Sequence, residues 1–405
     1  MTTGLLVVVG DLDVGGAERQ LVQILPRLRR EDFRVTVYTL SHKGALAGRL
    51  EASGIPVLGP PRFAGVLAKI GWRGLVLPLS AAALFLLMRR TRPDIVHLFL
   101  PEAYLIGGVC ALLARCPRRV MSRRSLNRYQ RRRPLAARLE RWLHRRMQAV
   151  LGNAAAVVEE LRAEGVPKDR LGLIRNGVEA AAFSTRREIA RERLGVDGDA
   201  LVLVTVANLI AYKGHADLLD ALGAVDDRLP AGWMLVCVGR DDGLGAELKA
   251  RAEALGIAAN VRWTGMCDDV PGVLAAADIG VLASHEEGFS NAVLEGMAAG
   301  LAMVATDVGG NREAIVDGDC GLLVPPHDPR ALGEAIVALA GDAPGRTALG
   351  AAARTRTVAA FGFDACVTRY ERLYAGLAAD DPRPVAALLD ATPLPRPLSE
   401  RRTPR

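Results

Sequence analysis

Cysteine is sparse, and none of it is spaced for a bridge. Six Cys, at positions 110, 116, 237, 267, 320 and 366, are scattered over 405 residues with no CxxC pair and no metal-ligand spacing. That excludes a disulfide framework and suggests buried thiols in a reducing cytoplasm. Long apolar runs are missing too. The most apolar segment, LVLPLSAAALFLLM (75–88), has 14 residues and contains Pro78, too short to span a bilayer comfortably, so it reads as a buried helix, with a re-entrant or surface-seated one as the alternative. The opening MTTGLLVVVGDLDVGG has neither a basic segment nor a long apolar core, and reads as a first strand rather than a signal peptide. Half of the residues are hydrophobic, which excludes a disordered chain, and the length suffices for two or more domains.

Charge is unevenly spread. Residues 1–180 carry 30 Lys and Arg against 14 Asp and Glu, while residues 181–405 carry 22 against 31. A basic half and an acidic half suggest two domains with different partners. Short β-branched runs alternate with amphipathic segments. LLVVV (5–9), FRVTVYTL (33–40), DIVHLF (94–99), RRVM (118–121) and AVLG (149–152) read as strands of the first half. The pattern restarts near residue 200 with ALVLVTVANL, WMLVCVG, VRWTG, DIGVLAS, AMVATD and GLLVP, each preceding a helix-compatible stretch. Apolar strands alternating with helices indicate α/β architecture with mostly parallel sheets covered on both faces. The expected boundaries are 1–180 and 181–360, then a C-terminal helix over 361–378 packing back on the N-terminal domain. Residues 380–405, rich in Pro and Arg, are expected to be a disordered tail.

Five elements then occur in order: VANLIAYKGH (206–215), VGRDDG (238–243), VRWTGMCDDV (261–270), Glu287 and Glu295 eight apart, and DVGGNREAIVDGDCGLLVPP (307–326). Together they resemble the donor domain of retaining glycosyltransferases of family 4, the glycosyl transferases group 1. VGGAERQLVQI (14–24) and RNGVE (175–179) fit the same family. The resemblance implies the GT-B fold: two facing Rossmann-like domains, each a mostly parallel sheet flanked by helices, with the donor in the cleft.

In SHEEGFSNAVLEGMAAG (284–300), a strand gives way to a tight turn and then a helix. Free amides and the macrodipole at a helix N-terminus favour phosphate, and Gly288 permits close backbone approach. The resemblance implies that Gly288, Phe289, Ser290 and Asn291 line the donor diphosphate and sugar. It assigns Glu287 to the sugar hydroxyls and Glu295 to the ribose diol; a solvated helix residue and a simple Ser290 N-cap are the plain alternatives. Lys213 is placed to neutralise charge on the leaving diphosphate, which makes Lys213 and Glu287 the candidate catalytic residues. Relatives often carry Arg five residues before this Lys, where this chain has Asn208; Arg240 is the candidate second cation, with a solvated Arg as the alternative. Gly15 and Gly16 are expected at the donor phosphates, and backbone near Gly265 and Met266 at the base. Where relatives often place a sugar-pocket His, this chain has Ser122, Arg123 and Arg124. His97 is either a further pocket residue or a structural strand-end histidine.

The expected chemistry is metal-independent transfer from a nucleoside-diphosphate sugar, without a cofactor. Asp11 and Asp13 spell D-x-D but precede a glycine turn that suits phosphate better than metal. Rival readings are a sugar-nucleotide 2-epimerase of similar fold and a catalytically inert donor-binding relative. Residues 115–146 hold thirteen Arg and a single acid, Glu140. Leu135, Leu139, Trp142 and Leu143 are spaced for one helical face, with Arg138, Arg141, Arg145 and Arg146 beside or opposite it. No RNA-binding motif is present, so nucleic acid is not expected. A helix packed on the core with a solvated basic face is the plain reading. The sharper one is an anionic membrane surface and a lipid-linked or saccharide acceptor, on a cytoplasmic enzyme peripheral to the inner face of the membrane.

Overall fold

The computed structural model describes residues 2–61, 76–196 and 200–389, apart from the side chains of Tyr129, Arg131 and Arg132. The chain divides into two compact units, the first formed by Met1–Asn176 with Asp364–Thr392 and the second by Gly177–Phe363. In the first, β1 (Thr3–Val9), β2 (Phe33–Thr39), β3 (Val57–Leu58), β4 (Ile95–Phe99), β5 (Arg118–Arg123), β6 (Ala149–Gly152) and β7 (Leu171–Leu173) form a parallel sheet of order β3-β2-β1-β4-β5-β6-β7. In the second, β8 (Val202–Val206), β9 (Met234–Val238), β10 (Val261–Gly265), β11 (Ile279–Leu282), β12 (Ala302–Thr306) and β13 (Leu322–Val324) form another, of order β10-β9-β8-β11-β12-β13. The expected α/β class, two parallel sheets flanked by helices, is what the chain adopts.

Central strands read as unbroken apolar runs because helices cover both their faces: Leu5 to Val9 are almost inaccessible. The two strands absent from the sequence reading, β3 and β7, span two and three residues, too few for any periodicity to register. Both units share one connectivity. The chain starts mid-sheet, builds outward to one side, and returns beside its first strand before building the other way. The reversal falls between β1 and β4 in the first unit and between β8 and β11 in the second. Ligands of such sheets bind beyond the carboxyl ends of the strands flanking this switch point.

Two expectations are corrected. The helix Val76–Thr91 is not buried all round; it buries one stripe, Ser80, Leu84 and Met88, and leaves Leu86 64% exposed. The segment from 380 to 389, expected to belong to a disordered tail, is structured in part. Val385–Leu388 forms a short helix whose Val385 and Leu388, with Leu389, are buried. It docks against Gly172 of β7, where an added Cβ would meet Leu389 and Val385 carbons at 2.8 Å. Residues 390–405 lie outside the described residues. Within the basic stretch 115–146, β5 is followed by a 3₁₀ turn (Asn127–Arg132) and the helix Pro134–His144. The helix Phe363–Ala378 belongs to the first unit, where Glu371 accepts the Arg29 amide at 2.9 Å.

Candidate functional site

At the second unit's switch point, β11 pairs with β8 only at Ile279 and Gly280, so the pairing stops short of both carboxyl ends. The loops leaving these strands carry Lys213 and Glu287. Gly214, at φ +68°, turns the first loop into the helix His215–Ala224; a Cβ there would lie 1.9 Å from the Ala283 carbonyl oxygen. Only glycine lets the Lys213 turn settle on the end of β11. Lys213 Nζ donates to Glu287 Oε1 at 2.7 Å, and Ser284 Oγ donates to the same oxygen at 2.7 Å. Both bonds land on Oε1, which leaves Oε2 for a further donor. Burial opposes the Lys213 charge, but the Glu287 carboxylate outweighs it and raises the ammonium pKa above the ordinary lysine value. The neighbouring His215 is pushed down to about 4 by burial, with the Lys213 charge behind it, and is neutral at pH 7.

The Glu287 loop is pinned from the far side by the turn after β12. Gly310 N donates to Gly288 O at 2.6 Å, and a Cβ on Gly309, at φ +50°, would sit 1.9 Å from the Glu287 carbonyl oxygen. Ser284 and Gly309 therefore belong to the site although sequence reasoning assigned neither a role. Their signals, Ser at a strand end and Gly-Gly after β12, were legible only as parts of motifs. Ser290 caps the helix Asn291–Ala298, its Oγ accepting from Val293 N at 3.4 Å. Asn291 and Glu295 are half-buried, and Gly288 is buried. Phe289 is buried with its ring 5.3 Å from that of Phe361, so any contact it makes to a donor falls to its backbone.

Asn208 serves the backbone: its Oδ1 accepts from Arg240 N at 3.1 Å. The Arg240 guanidinium is paired with Asp242 at 2.6 Å, on the loop after β9. A role for it as second cation requires that pair to open. Met266 follows β10 and is 58% exposed.

The first unit holds the remaining candidates. Gly15 is the N-cap of the helix Gly16–Ile24, and a Cβ on it would lie 2.2 Å from Glu18 Oε2. Burial raises the Glu18 pKa, with Asp11 and Asp13 adding to it and Arg124 opposing. His97 and Arg123 are both fully buried. His97, in β4, is fully buried between Tyr374 Oη at 2.7 Å and Ser122 Oγ at 2.8 Å, and burial holds it well below its ordinary pKa. Both ring nitrogens are thus engaged by buried partners, as a structural strand-end histidine's would be. Arg123 is fully buried and binds Glu140 and Glu164. Two carboxylates offset the charge of a guanidinium that could not otherwise be buried. Arg124 is only partly buried and donates to Asn176 Oδ1.

That ion pair reverses the helix Pro134–His144. It turns Glu140 and His144 inward with Ala137 and Leu143, and leaves Leu135, Leu139 and Trp142 exposed by 75%, 37% and 46%. The expected single face is thus split: Leu143 packs inward and the other three face solvent. Arg146 stacks on the Trp142 ring at 3.7 Å, while Arg138, Arg141 and Arg145 are exposed. Among the described residues no helix is long and apolar enough to cross a membrane.

Comparison with known proteins bears on the family and the fold. The family described as Glycosyltransferase Family 4 matches residues 14–182, and that described as Glycosyl transferases group 1 matches residues 200–342. D-inositol 3-phosphate glycosyltransferase of Thermomonospora curvata is 34% identical over 230 residues, 52% of this chain and 53% of that protein. The chain spans about half the length of the curated relatives it matches. HepE of Anabaena, solved with UDP and glucose, superposes with a TM-score of 0.81 at 22% identity over 92% of this chain and 100% of that one. WaaG, a glycosyltransferase involved in lipopolysaccharide biosynthesis, does so at 0.71 and 18% identity over 92% and 100%. At these identities the two structures speak for the fold. With family matches covering both halves, and with the GT-B sheets present in each unit, the chain belongs to glycosyltransferase family 4 of the glycosyl transferases group 1.

Proposed function

We propose that the protein is a retaining, metal-independent glycosyltransferase that moves a sugar from a nucleoside-diphosphate donor to an acceptor hydroxyl. The observation that carries this is the Lys213–Glu287 pair at the second unit's switch point, a preformed cation and carboxylate at the mouth of a loop-to-helix junction. The sugar–oxygen bond to the diphosphate breaks with its electron pair passing to the phosphate oxygen. The acceptor oxygen bonds to the anomeric carbon on the same face, and its proton passes to the departing phosphate. Lys213 stabilises the charge that builds on the diphosphate, which is preorganised electrostatic catalysis. Glu287 orients the sugar through Oε2, and Glu295 holds the ribose.

The acceptor is proposed to be lipid-linked, from the three outward apolar side chains of the helix Pro134–His144 and the arginines around them. Each basic side chain near an anionic bilayer contributes about 1 kcal/mol. The enzyme would then work at the cytoplasmic face of the membrane. Relatives named for D-inositol 3-phosphate favour a second reading, a soluble phosphorylated polyol.

The experiment incubates purified protein with a panel of nucleotide sugars, UDP-glucose first, with a polyprenyl-diphosphate sugar or inositol 3-phosphate as acceptor. Transfer with the anomeric configuration kept, and insensitive to EDTA, is expected. Conversion of the donor without acceptor would favour an epimerase, and a requirement for added magnesium would contradict the metal-independent mechanism. Salt-sensitive co-sedimentation with anionic but not neutral vesicles is the check on the membrane acceptor.

A further inference from the structure

Three groups among the described residues bring His, Asp or Glu ligand atoms within 4.8 Å of one another, and they are not equivalent. Glu140, His144 and Glu164 surround a position already filled by the Arg123 guanidinium. Asp11, Asp13 and His42 offer a single imidazole, and their carboxylates also accept the Asp13 and Ala45 amides. Asp217, His285 and His327 offer two imidazoles and one carboxylate with no cationic side chain among them. His285 Nε2 lies 2.9 Å from Asp217 Oδ2, and the two imidazole rings lie 3.8 Å apart at 37°. His327 is held at φ +60°, a backbone conformation that a residue with a side chain rarely adopts.

We propose that Asp217, His285 and His327 form a site for a divalent transition-metal ion of the Zn²⁺ type. Two imidazoles from two loops and a carboxylate from the first turn of the helix His215–Ala224 are the donor set such an ion takes, with a coordination position left for water. The site shares no residue with the Lys213–Glu287 pair and supplies no step of the transfer. Its place is nonetheless informative. His285 donates its backbone N–H to the Tyr212 carbonyl at 2.7 Å, one residue from Lys213 and two from Glu287. A bound ion would tie the Lys213 loop, through Asp217, to the Glu287 loop, through His285, and both to the segment after β13.

The test uses the full chain, stripped with EDTA and desalted, and measures Zn²⁺ uptake by equilibrium dialysis and Co²⁺ uptake by its visible absorption. A single ion per chain is expected, with a melting temperature that rises with Zn²⁺ concentration. His327→Ala and Asp217→Asn should each weaken binding at least ~10-fold, since even the partners behind metal ligands are worth that much. His327 is exposed, so its variant keeps the test open if Asp217→Asn fails to fold. His42→Ala should leave binding unchanged. Absence of uptake, uptake that survives His327→Ala, or uptake lost with His42→Ala would each overturn the assignment. None of these readouts depends on transfer activity.

Discussion

In the first unit the Arg123 guanidinium grips Glu140 and Glu164 with no exposure of its own side chain or of Glu140. In the second, the Lys213 ammonium grips Glu287 with 19% and 10% of the two side chains exposed. The charge types match and the consequences differ. A buried pair can exchange neither partner, because whichever is left behind keeps an unpaired charge in the interior. The Glu164 carboxyl shows how committed that pair is. Burial alone would raise it, yet His144, Arg123 and Asn127 hold it far below its ordinary value. The Lys213 pair lies at a loop edge beside a glycine-pinned turn, where an arriving anion and hydroxyls can replace or share its partners. Ion pairing alone does not mark a site; the solvent access of the pair does.

The sharpest way to break this comparison is Arg123→Met. It should destabilise the protein by about 3–5 kcal/mol in urea unfolding, since it strands two buried carboxylates. A loss below ~1 kcal/mol would show that the cluster is not what fastens the helix Pro134–His144. Lys213→Ala and Glu287→Ala should do the reverse, cutting transfer at least ~100-fold while leaving the unfolding midpoint close to wild type. Near-normal turnover in either would remove the pair from the chemistry.

A pH series separates the units less steeply. His215 in the second unit is held at about 4 and His97 in the first well below its ordinary value, both by burial. Each is neutral when folded and takes a proton near pH 6.5 when unfolded. Their contribution is therefore complete above pH 6.5 and is lost as pH falls toward 4. For His215 the loss is on the order of 3 kcal/mol at most. Urea midpoints measured from pH 7 to 4 should fall, and His215→Asn should flatten that slope; an unchanged slope would mean that other groups set it. The smallest effect is reserved for Glu295→Gln, expected to raise the donor KM ~10-fold with little change in kcat, as for a contact felt equally in ground and transition states. A pure kcat defect would relocate Glu295 to the reacting end of the donor.

How much of the site was legible depends on the reach of each contact. The six strands of the second unit were readable because each is a local apolar run of four or five residues, apart from three-residue β13, bounded by turns. The turn at Gly288 and the helix carrying Glu295 were likewise readable from adjacent residues. The partner of Glu287 was not. Lys213 lies 74 positions away, and only the return of β11 beside β8 brings them together. His97 and Tyr374 are 277 positions apart, so no local pattern could show that the histidine spends both its nitrogens inside the first unit.

The sequence by itself determined the layered architecture, since alternation of apolar strands with amphipathic helices leaves parallel sheets covered on both faces as the way to bury them. It also marked the loop expected to meet an anion, because glycine and a helix start are local properties. Tertiary structure alone decided the status of each charge. Arg123 ends β5 and Arg124 follows it, yet the first is buried against Glu140 and Glu164 while the second stays partly accessible beside Asn176. The same holds for Leu139 and Leu143 on one helix. The inward pull of Glu140 and His144 on buried partners sets the rotation of that helix, burying Leu143 and turning Leu139 out. A buried charge must find its counter-charge wherever the fold provides it, and that requirement outranks the hydrophobic pattern of the helix itself.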